Sequence, residues 1–556
     1  MSDWNLFLGD YAKRFEECLE QLAHDAVTER LWQKDHTLWK DKPHEITNRL
    51  DWLEAPCRMR GMTETLKKLA RDVKKEGFTK AVLLGMGGSS LAPLLFSRVS
   101  WQDEKLLDLE ILDSTDPSEI RSCTARNNPK DTLYIVSTKS GTTLETLTLF
   151  RYFFALLKEQ GEENPGRHFV AITDPQTPLV EMARTHSFFR ILCNNPNIGG
   201  RYSMFSSFGL FPAVLCGFPV TPLIEGALKG MEECFPDRRI KDNKGALLGA
   251  FLGSLALSGC DKVVFLCTSR ELEAFGAWLE QLLAESTGKE NQGILPVVER
   301  EWTVFPHQDV GYAILTKTQN ENVFAFLQNL QRAGRPYVVL PLESPYALGE
   351  WSFLCEFATA IAGYFLRINP FDQPDVESTK RFTRQMIAAP QKVLTGHWRK
   401  EGEVTFLFGG GLSLKGALAE FLSHLREDGY LAIQVFSSYV PELEEVLVSL
   451  SSTFKRKYRT VVTTGYGPRY LHSTGQLHKG DKGRGSFLQI VTQNDGDILI
   501  PGEAQEPGAS LTFGLLKMVQ ALADRQALRE KGRNVLTLIV PEKKARQLIL
   551  ELQNAL

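Results

Sequence analysis

Between residues 137 and 146 the chain reads Ser-Thr-Lys-Ser-Gly-Thr-Thr-Leu-Glu-Thr, and the chemistry on offer is the capture of an anion. Four hydroxyls, on Thr138, Ser140, Thr142 and Thr143, crowd one glycine, and Lys139 adds a positive charge. The apolar run at 132–136 reads as a buried strand, and Leu144, Leu147, Leu149 and Phe150 give a helix that opens at Thr143. A helix start presents unpaired backbone N–H groups and the positive end of the helix dipole. One cap needs one hydroxyl, so four imply a ligand. The G-x-x-x-x-G-K-[ST] pattern is absent, which suits the loop to a single phosphate monoester rather than a nucleoside triphosphate. Two more glycine stretches offer related chemistry. Gly85-Met86-Gly87-Gly88-Ser89 lets backbone approach a ligand closely, with Ser89 available to hydrogen-bond it. Gly199-Gly200-Arg201 can aim a guanidinium at a developing oxyanion.

Each of these loops must stand at the end of a strand. Near-continuous apolar segments at 81–84, 109–112, 133–136, 169–172 and 189–192, separated by helical patterns, predict a parallel sheet covered on both faces. In such a sheet ligands sit at the carboxyl ends of the strands. Asp113 closes the second strand, where a ribose-binding acid would stand, but Ser90 occupies the position at which a dinucleotide fingerprint requires glycine. A second series follows, with strands at 263–266, 294–298, 312–315 and 337–340 and a helix through Leu279, Leu282 and Leu283 that ends near Glu285. His307 lies beyond that helix, and a long apolar helix spans 348–366. Pro374 then starts another helix, with Gln373 at its head and Lys380 nearly two turns along.

The fold class is therefore α/β. A helical N-terminal cap is expected over 1–75, beginning at Asp3, followed by two doubly wound domains over 76–240 and 241–385 and a polar linker over 386–403. A third α/β unit covers 404–556, with strands at 404–408, 431–436, 460–464, 487–491 and 535–540 and a helix over 511–529. In that unit Gly409-Gly410-Gly411-Leu412-Ser413 reads as a strand-to-helix turn. The polar loop 472–478 carries His472 and His478 without a carboxylate or cysteine in metal-ligand spacing, so neither receives a role.

Composition narrows the classes. The 556 residues carry Lys+Arg 64 against Asp+Glu 67, a net charge of −3, which leaves no basic footprint for nucleic acid or an acidic membrane. The first twenty residues mix charges with apolar side chains, unlike a secretory signal, and no apolar run reaches the about 18–20 residues that span a bilayer. Nine scattered cysteines form no C-x-x-C pair, so neither metal nor disulfide is expected. A cytoplasmic location follows.

Four separated stretches, Gly85 to Pro93, Thr138 to Thr143, Gly199-Gly200-Arg201-Tyr202-Ser203, and Phe371-Asp372-Gln373 through Glu377 and Lys380, together resemble the phosphoglucose isomerase family over roughly residues 40–385. Glu285-Ser286-Thr287-Gly288-Lys289 is similar to the bacterial form around its catalytic base, and Asp375 stands where the second signature usually has glycine. The last third resembles the extension on the isomerase half of bacterial transaldolase and phosphoglucose isomerase fusions. The resemblance implies two sugar isomerase (SIS-type) domains that interconvert glucose 6-phosphate and fructose 6-phosphate through an enediolate, without cofactor or metal. It assigns Glu285 as base, Arg201 to the enediolate, and His307 with Lys380 to ring opening. Gly88, Ser89, Thr138, Lys139, Ser140, Thr142, Thr143, Gly200 and Gln373 would bind substrate. In the family the partner subunit supplies the histidine, which implies a homodimer. Another aldose phosphate such as mannose 6-phosphate, or a non-catalytic sugar-phosphate sensor, are the alternatives.

Overall fold

The computed structural model describes residues 5–101, 105–318, 320–388, 398–408, 413–502 and 511–556. The chain starts on a two-residue strand, β1 (Leu6–Phe7), where a helix was expected. β1 lies antiparallel on the edge of a sheet formed much later in the chain, and Phe7 stacks on Tyr337 with ring centroids 5.5 Å apart. That edge takes up backbone groups which a frayed helix end would leave in water. The helical cap follows as Ala12–His24, Val27–Trp32, Ala55–Arg60 and Thr63–Lys75, and the expected face of the first of these, Phe15, Cys18, Leu19 and Leu22, is buried.

The first sheet contains β2 (Lys80–Gly85), β3 (Asp108–Leu112), β4 (Thr132–Ser137), β5 (Phe169–Thr173) and β6 (Arg190–Cys193) in the order β3-β2-β4-β5-β6. All its pairings are parallel, with Leu84 opposite Val136 and Gly85 opposite Ser137, so the loops after β2 and β4 leave the same edge side by side. The second sheet contains β7 (Lys262–Cys267), β8 (Leu295–Glu299), β9 (Val310–Thr316) and β10 (Tyr337–Pro341) in the order β1-β10-β9-β7-β8, parallel except for β1. The helix Glu273–Thr287 follows β7 and ends near Glu285, and the apolar helix Pro345–Leu366 is buried along nearly its whole length.

The third unit is a mixed sheet of β11 (Arg399–Glu401), β12 (Val404–Leu407), β13 (Tyr430–Phe436), β14 (Val461–Tyr466), β15 (Gly485–Gln493) and β16 (Asn534–Pro541), ordered β11-β12-β16-β15-β13-β14. Four strands are parallel, while β11 and β12 join antiparallel. The stretch read as a linker begins inside a helix, Val376–Ala388, because Thr379 and Thr383 give it a buried face against the helix Phe513–Glu530. Residues 389–397 and the Gly409–Leu412 part of the glycine loop lie outside the described residues.

The third unit is not a hanging extension. One apolar cluster joins Val264, Leu266, Ala284 and Leu295 of the second domain to Tyr430, Leu477, Phe487 and Leu528 of the third. Another joins Val82, Tyr134 and Phe169 of the first domain to Ile500, Phe513 and Leu516. Both doubly wound domains thus complete part of their core with residues from beyond 404.

Candidate active site

The hydroxyl loop has the expected form. Thr143 precedes the helix Leu144–Glu159 in extended conformation, and its side chain does not cap that helix. Its Oγ1 instead lies 2.7 Å from Thr138 Oγ1, while the hydroxyls of Ser140 and Thr142 are 2.8 Å apart. The hydroxyls are thus gathered around a helix start whose N–H groups no side chain has taken, a setting for phosphate. Gly141 makes the turn at φ +66°, and a β-carbon there would fall 2.8 Å from Thr177 Cβ. Beside this loop Gly88 lies against Gly200, whose carbonyl oxygen would be 2.1 Å from a β-carbon at 88. Ser89 is buried next to the strand end, where its carbonyl accepts from Ser137 Oγ at 3.3 Å. Lys139 differs from expectation. Its ammonium pairs with Asp174 and donates to the Pro196 carbonyl at 2.8 Å, so its charge holds the loop to β5 rather than standing free for a ligand.

Arg201, 3% exposed, ties the separated motifs together. Nε donates to Ser286 Oγ at 2.7 Å, Nη1 to Gln373 Oε1 at 3.1 Å, and Nη2 to the carbonyls of Pro370 and Asp372 at 2.6 and 3.0 Å. Nη1 also stands 3.6 Å from Glu285 Oε1. Below it Tyr202 stacks on Trp52 at 5.1 Å, which fixes the segment. Lys289 is fully buried and donates to Asp372 Oδ1 at 2.8 Å, pinning the turn that carries Gln373. Burial, with Arg201 nearby, pulls its pKa down to about 8, against the opposing pull of Asp372 and Glu285. A carboxylate and a guanidinium thus share one nearly dry site, where a charge appearing on substrate is felt strongly.

His307 is not part of this group. It is half-buried between β8 and β9, its Nε2 meets the backbone carbonyl of Arg459, and no described contact links it to Glu285, Arg201 or Gln373. The third domain supplies another imidazole. His472, at the end of the 3₁₀ turn Arg469–His472, places Nε2 3.0 Å from Glu145 Oε1. Gln281 Nε2 donates both to the His472 carbonyl at 2.8 Å and to Glu285 Oε2 at 3.0 Å. Gly87 is cut to fit, since a β-carbon there, at φ +55°, would lie 2.6 Å from the His472 oxygen. Burial opposes an imidazolium at 472, but the Glu145 carboxylate, by charge and hydrogen bond, outweighs it and raises the pKa, with Lys380 opposing and Glu285 assisting. Glu145 is held below the usual carboxylate range: burial works against its ionisation, and the His472 charge and hydrogen bond win. Lys380 pairs with Glu377 at 2.6 Å on an exposed helix face, close enough for its charge to act on both partners.

Glu145, Gln281 and His472 escaped the sequence reading. Glu145 lies inside the hydroxyl stretch, and an acid in the first turn of a helix after a phosphate-type loop was the available signal. His472 had only a polar loop between strands to mark it. Two other residues acquire explanations from the third domain. Asp113 accepts Arg469 Nε and Nη2 at 2.7 and 2.8 Å, so it is committed to protein and not to a ribose. Asp375, the departure from glycine, receives Gln476 Nε2 at 2.8 Å and Lys531 Nζ at 2.7 Å and returns its own N–H to Gln476 Oε1 at 2.9 Å.

Two doubly wound domains meeting over a hydroxyl loop are the architecture of the phosphosugar isomerases of SIS type, and this fold belongs to that class. The phosphoglucose isomerase family model matches residues 32–301. Curated relatives include glucose-6-phosphate isomerases from Carboxydothermus hydrogenoformans, 29% identical over 58% of this chain and 81% of the relative, and Rubrobacter xylanophilus, 29% identical over 66% and 94%. Among solved structures, a hypothetical protein of Thermus thermophilus superposes with TM-score 0.60 at 25% identity, over 69% of this chain and 100% of the other. A Chlamydia trachomatis glucose-6-phosphate isomerase shares the fold with TM-score 0.52 at 20% identity, over 66% and 78%. Residues 32–301 thus carry a phosphoglucose isomerase domain.

Proposed function

We propose that this isomerase interconverts glucose 6-phosphate and fructose 6-phosphate, and that its own third domain supplies the histidine of the site. The observation that carries the reading is that Arg201 meets both Glu285 and Gln373, while Gln281 ties Glu285 to His472 of the third domain and His472 in turn meets Glu145, on the helix that follows the hydroxyl loop. The sugar phosphate is held by Thr138, Ser140, Thr142 and Thr143 with the loops at Ser89 and Gly88–Gly200. That remote binding energy sets C1 and C2 against Glu285. His472, protonated through its pairing with Glu145, gives a proton to the ring oxygen as the C1–O5 bond breaks, water takes the proton of the C1 hydroxyl, and the sugar opens to the aldehyde with its O5 hydroxyl. Lys380 lies beside this step. Glu285 then takes the proton from C2 and returns it to C1, and Arg201 faces the enediolate oxygens, whose charge exists only along the reaction. Gln373, held by Arg201, orients the substrate hydroxyls.

With His472 on the same chain, a dimer is not needed to complete the site. A cytoplasmic location belongs to the same reading; no described helix is long and apolar enough to cross a membrane. The test is a coupled assay with fructose 6-phosphate, following glucose 6-phosphate, and with mannose 6-phosphate in parallel. Rapid turnover of fructose 6-phosphate, reduced at least ~10²-fold in kcat by Glu285→Gln while binding persists, is the expected result. Preference for mannose 6-phosphate would shift the substrate, and binding without turnover would leave a sensor.

A further inference from the structure

The third domain brings more than a histidine to the cleft. On its helix Phe513–Glu530, Gln520 is 2% exposed and directs its amide Nε2 to Glu145 Oε1 at 2.6 Å. Its Oε1 accepts the Thr115 hydroxyl at 2.8 Å, from the segment just past β3. The carboxylate settles which end of the amide faces it, because only the NH₂ end can donate, and Thr115 then holds the oxygen end. A line of hydrogen bonds therefore runs Thr115, Gln520, Glu145, His472, Gln281, Glu285 through all three domains. Thr115, Gln520, Glu145 and Gln281 are buried, which makes an unpartnered atom among them costly and their orientations definite, while His472 and Glu285 are partly exposed.

We propose that Gln520 is a positioning residue for this reaction: its amide, fixed by Thr115, orients and stabilises the Glu145 carboxylate that in turn sets the orientation and protonation of His472. The inference rests on the reading of His472 as the ring-opening group. Gln520 does not touch substrate and acts through Glu145. The ionisable groups facing this pair are Lys380, from the helix Val376–Ala388, and Glu285, from the helix Glu273–Thr287. Lys380 disfavours the imidazolium and Glu285 favours it. Neither touches Gln520 in any described contact, so a change at 520 reaches His472 through Glu145.

The sign of the effect follows. Removing a donor from a carboxylate makes it a stronger base, so the Glu145–His472 pair must hold its proton to higher pH. Full-length protein with isotope-labelled histidine, titrated by NMR and assigned with His472→Gln, reads this directly. Gln520→Leu should move the His472 titration up by about 0.5–1 pH unit, the scale of losing one hydrogen bond to a carboxylate, and Gln520→Glu should move it further. The limb of the kcat/KM profile that belongs to the pair should move with it. An unchanged titration in both variants, with activity scaled equally at every pH, would reduce Gln520 to packing and overturn the proposal. Should Gln520→Leu not fold, Thr115→Val removes only the hydroxyl that orients the amide. A smaller upward move there supports the proposal, and no move overturns it. The titration needs no turnover, so a folded protein without isomerase activity but with the shifted titration would fault the functional reading while leaving the Gln520–Glu145–His472 coupling, and an unshifted titration in an active enzyme would fault only the role of Gln520.

Discussion

His472 and His307 both carry imidazoles, and their surroundings give them different work. One faces a buried carboxylate and shares Gln281 with Glu285, and the other meets a loop carbonyl away from the cleft. His472→Gln should lower kcat on fructose 6-phosphate by about 10²-fold or more, the scale of losing a general acid or base, while His307→Gln stays within about twofold. A steady-state comparison of the two variants decides between them. The pair also predicts a stability profile. The pKa of His472 is raised in the folded state, so its contribution is complete below the ordinary histidine value of about 6.5 and is lost as pH rises through the raised value. The pKa of Glu145 is depressed, so its contribution is present above about 4.5 and is lost as pH falls through the lowered value. The melting temperature of wild type minus that of His472→Gln should therefore be largest between those limits and shrink at both ends. A flat difference across pH would mean the pair is not ionic. Arg201 and Glu285 were legible because their motifs are local. The Glu145–His472 contact spans more than three hundred positions, and nothing in the residue types alone joins the two ends.

Loops and strands differ in how far the sequence exposes them. Each of the fourteen strands expected from apolar runs is present; most are buried on both faces and so apolar almost throughout, while β3 and β6 at the sheet edges are only partly buried. β1 and β11 were not legible, since strands of two and three residues are defined by the partner edge they meet. The helix Val376–Ala388 was read partly as linker for a related reason: its buried side is two threonines, a weak apolar signal. Gly141 is the pivot of the hydroxyl loop, and Gly141→Ala places a β-carbon in a left-handed turn against Thr177 and Leu179. That variant should lose at least ~1 kcal/mol of stability in urea unfolding and raise KM more than it lowers kcat, because the phosphate grip is displaced while Glu285 is untouched. Equal KM with reduced kcat would place the loop in the chemical step instead.

At the scale of the molecule, three units share cores rather than merely touching. The third domain contributes Leu477, Phe487 and Leu528 to the apolar cluster of the second and Ile500, Phe513 and Leu516 to that of the first. It reinforces the contact with the first by a fully buried ion pair, Lys517 to Asp116 at 2.7 Å. A chain ended after Ala388 would bare both apolar faces, and its recovery as aggregate without activity is the expected outcome. Soluble, active truncated protein would mean the third domain is dispensable. For the full chain, if His472 completes the site as proposed, specific activity should hold constant on dilution through the nanomolar range, and a loss on dilution would mean that a second subunit contributes.

The route by which His472 arrives also bears on inheritance. Where two subunits exchange a catalytic side chain, two differently crippled copies can rescue each other, and a crippled copy can spoil a sound one. Here Glu285 and His472 are joined by a single Gln281 side chain of the same polypeptide. Glu285→Gln and His472→Gln chains produced together should show no complementation, and a cell carrying one sound and one defective gene should keep activity in simple proportion to the sound copies.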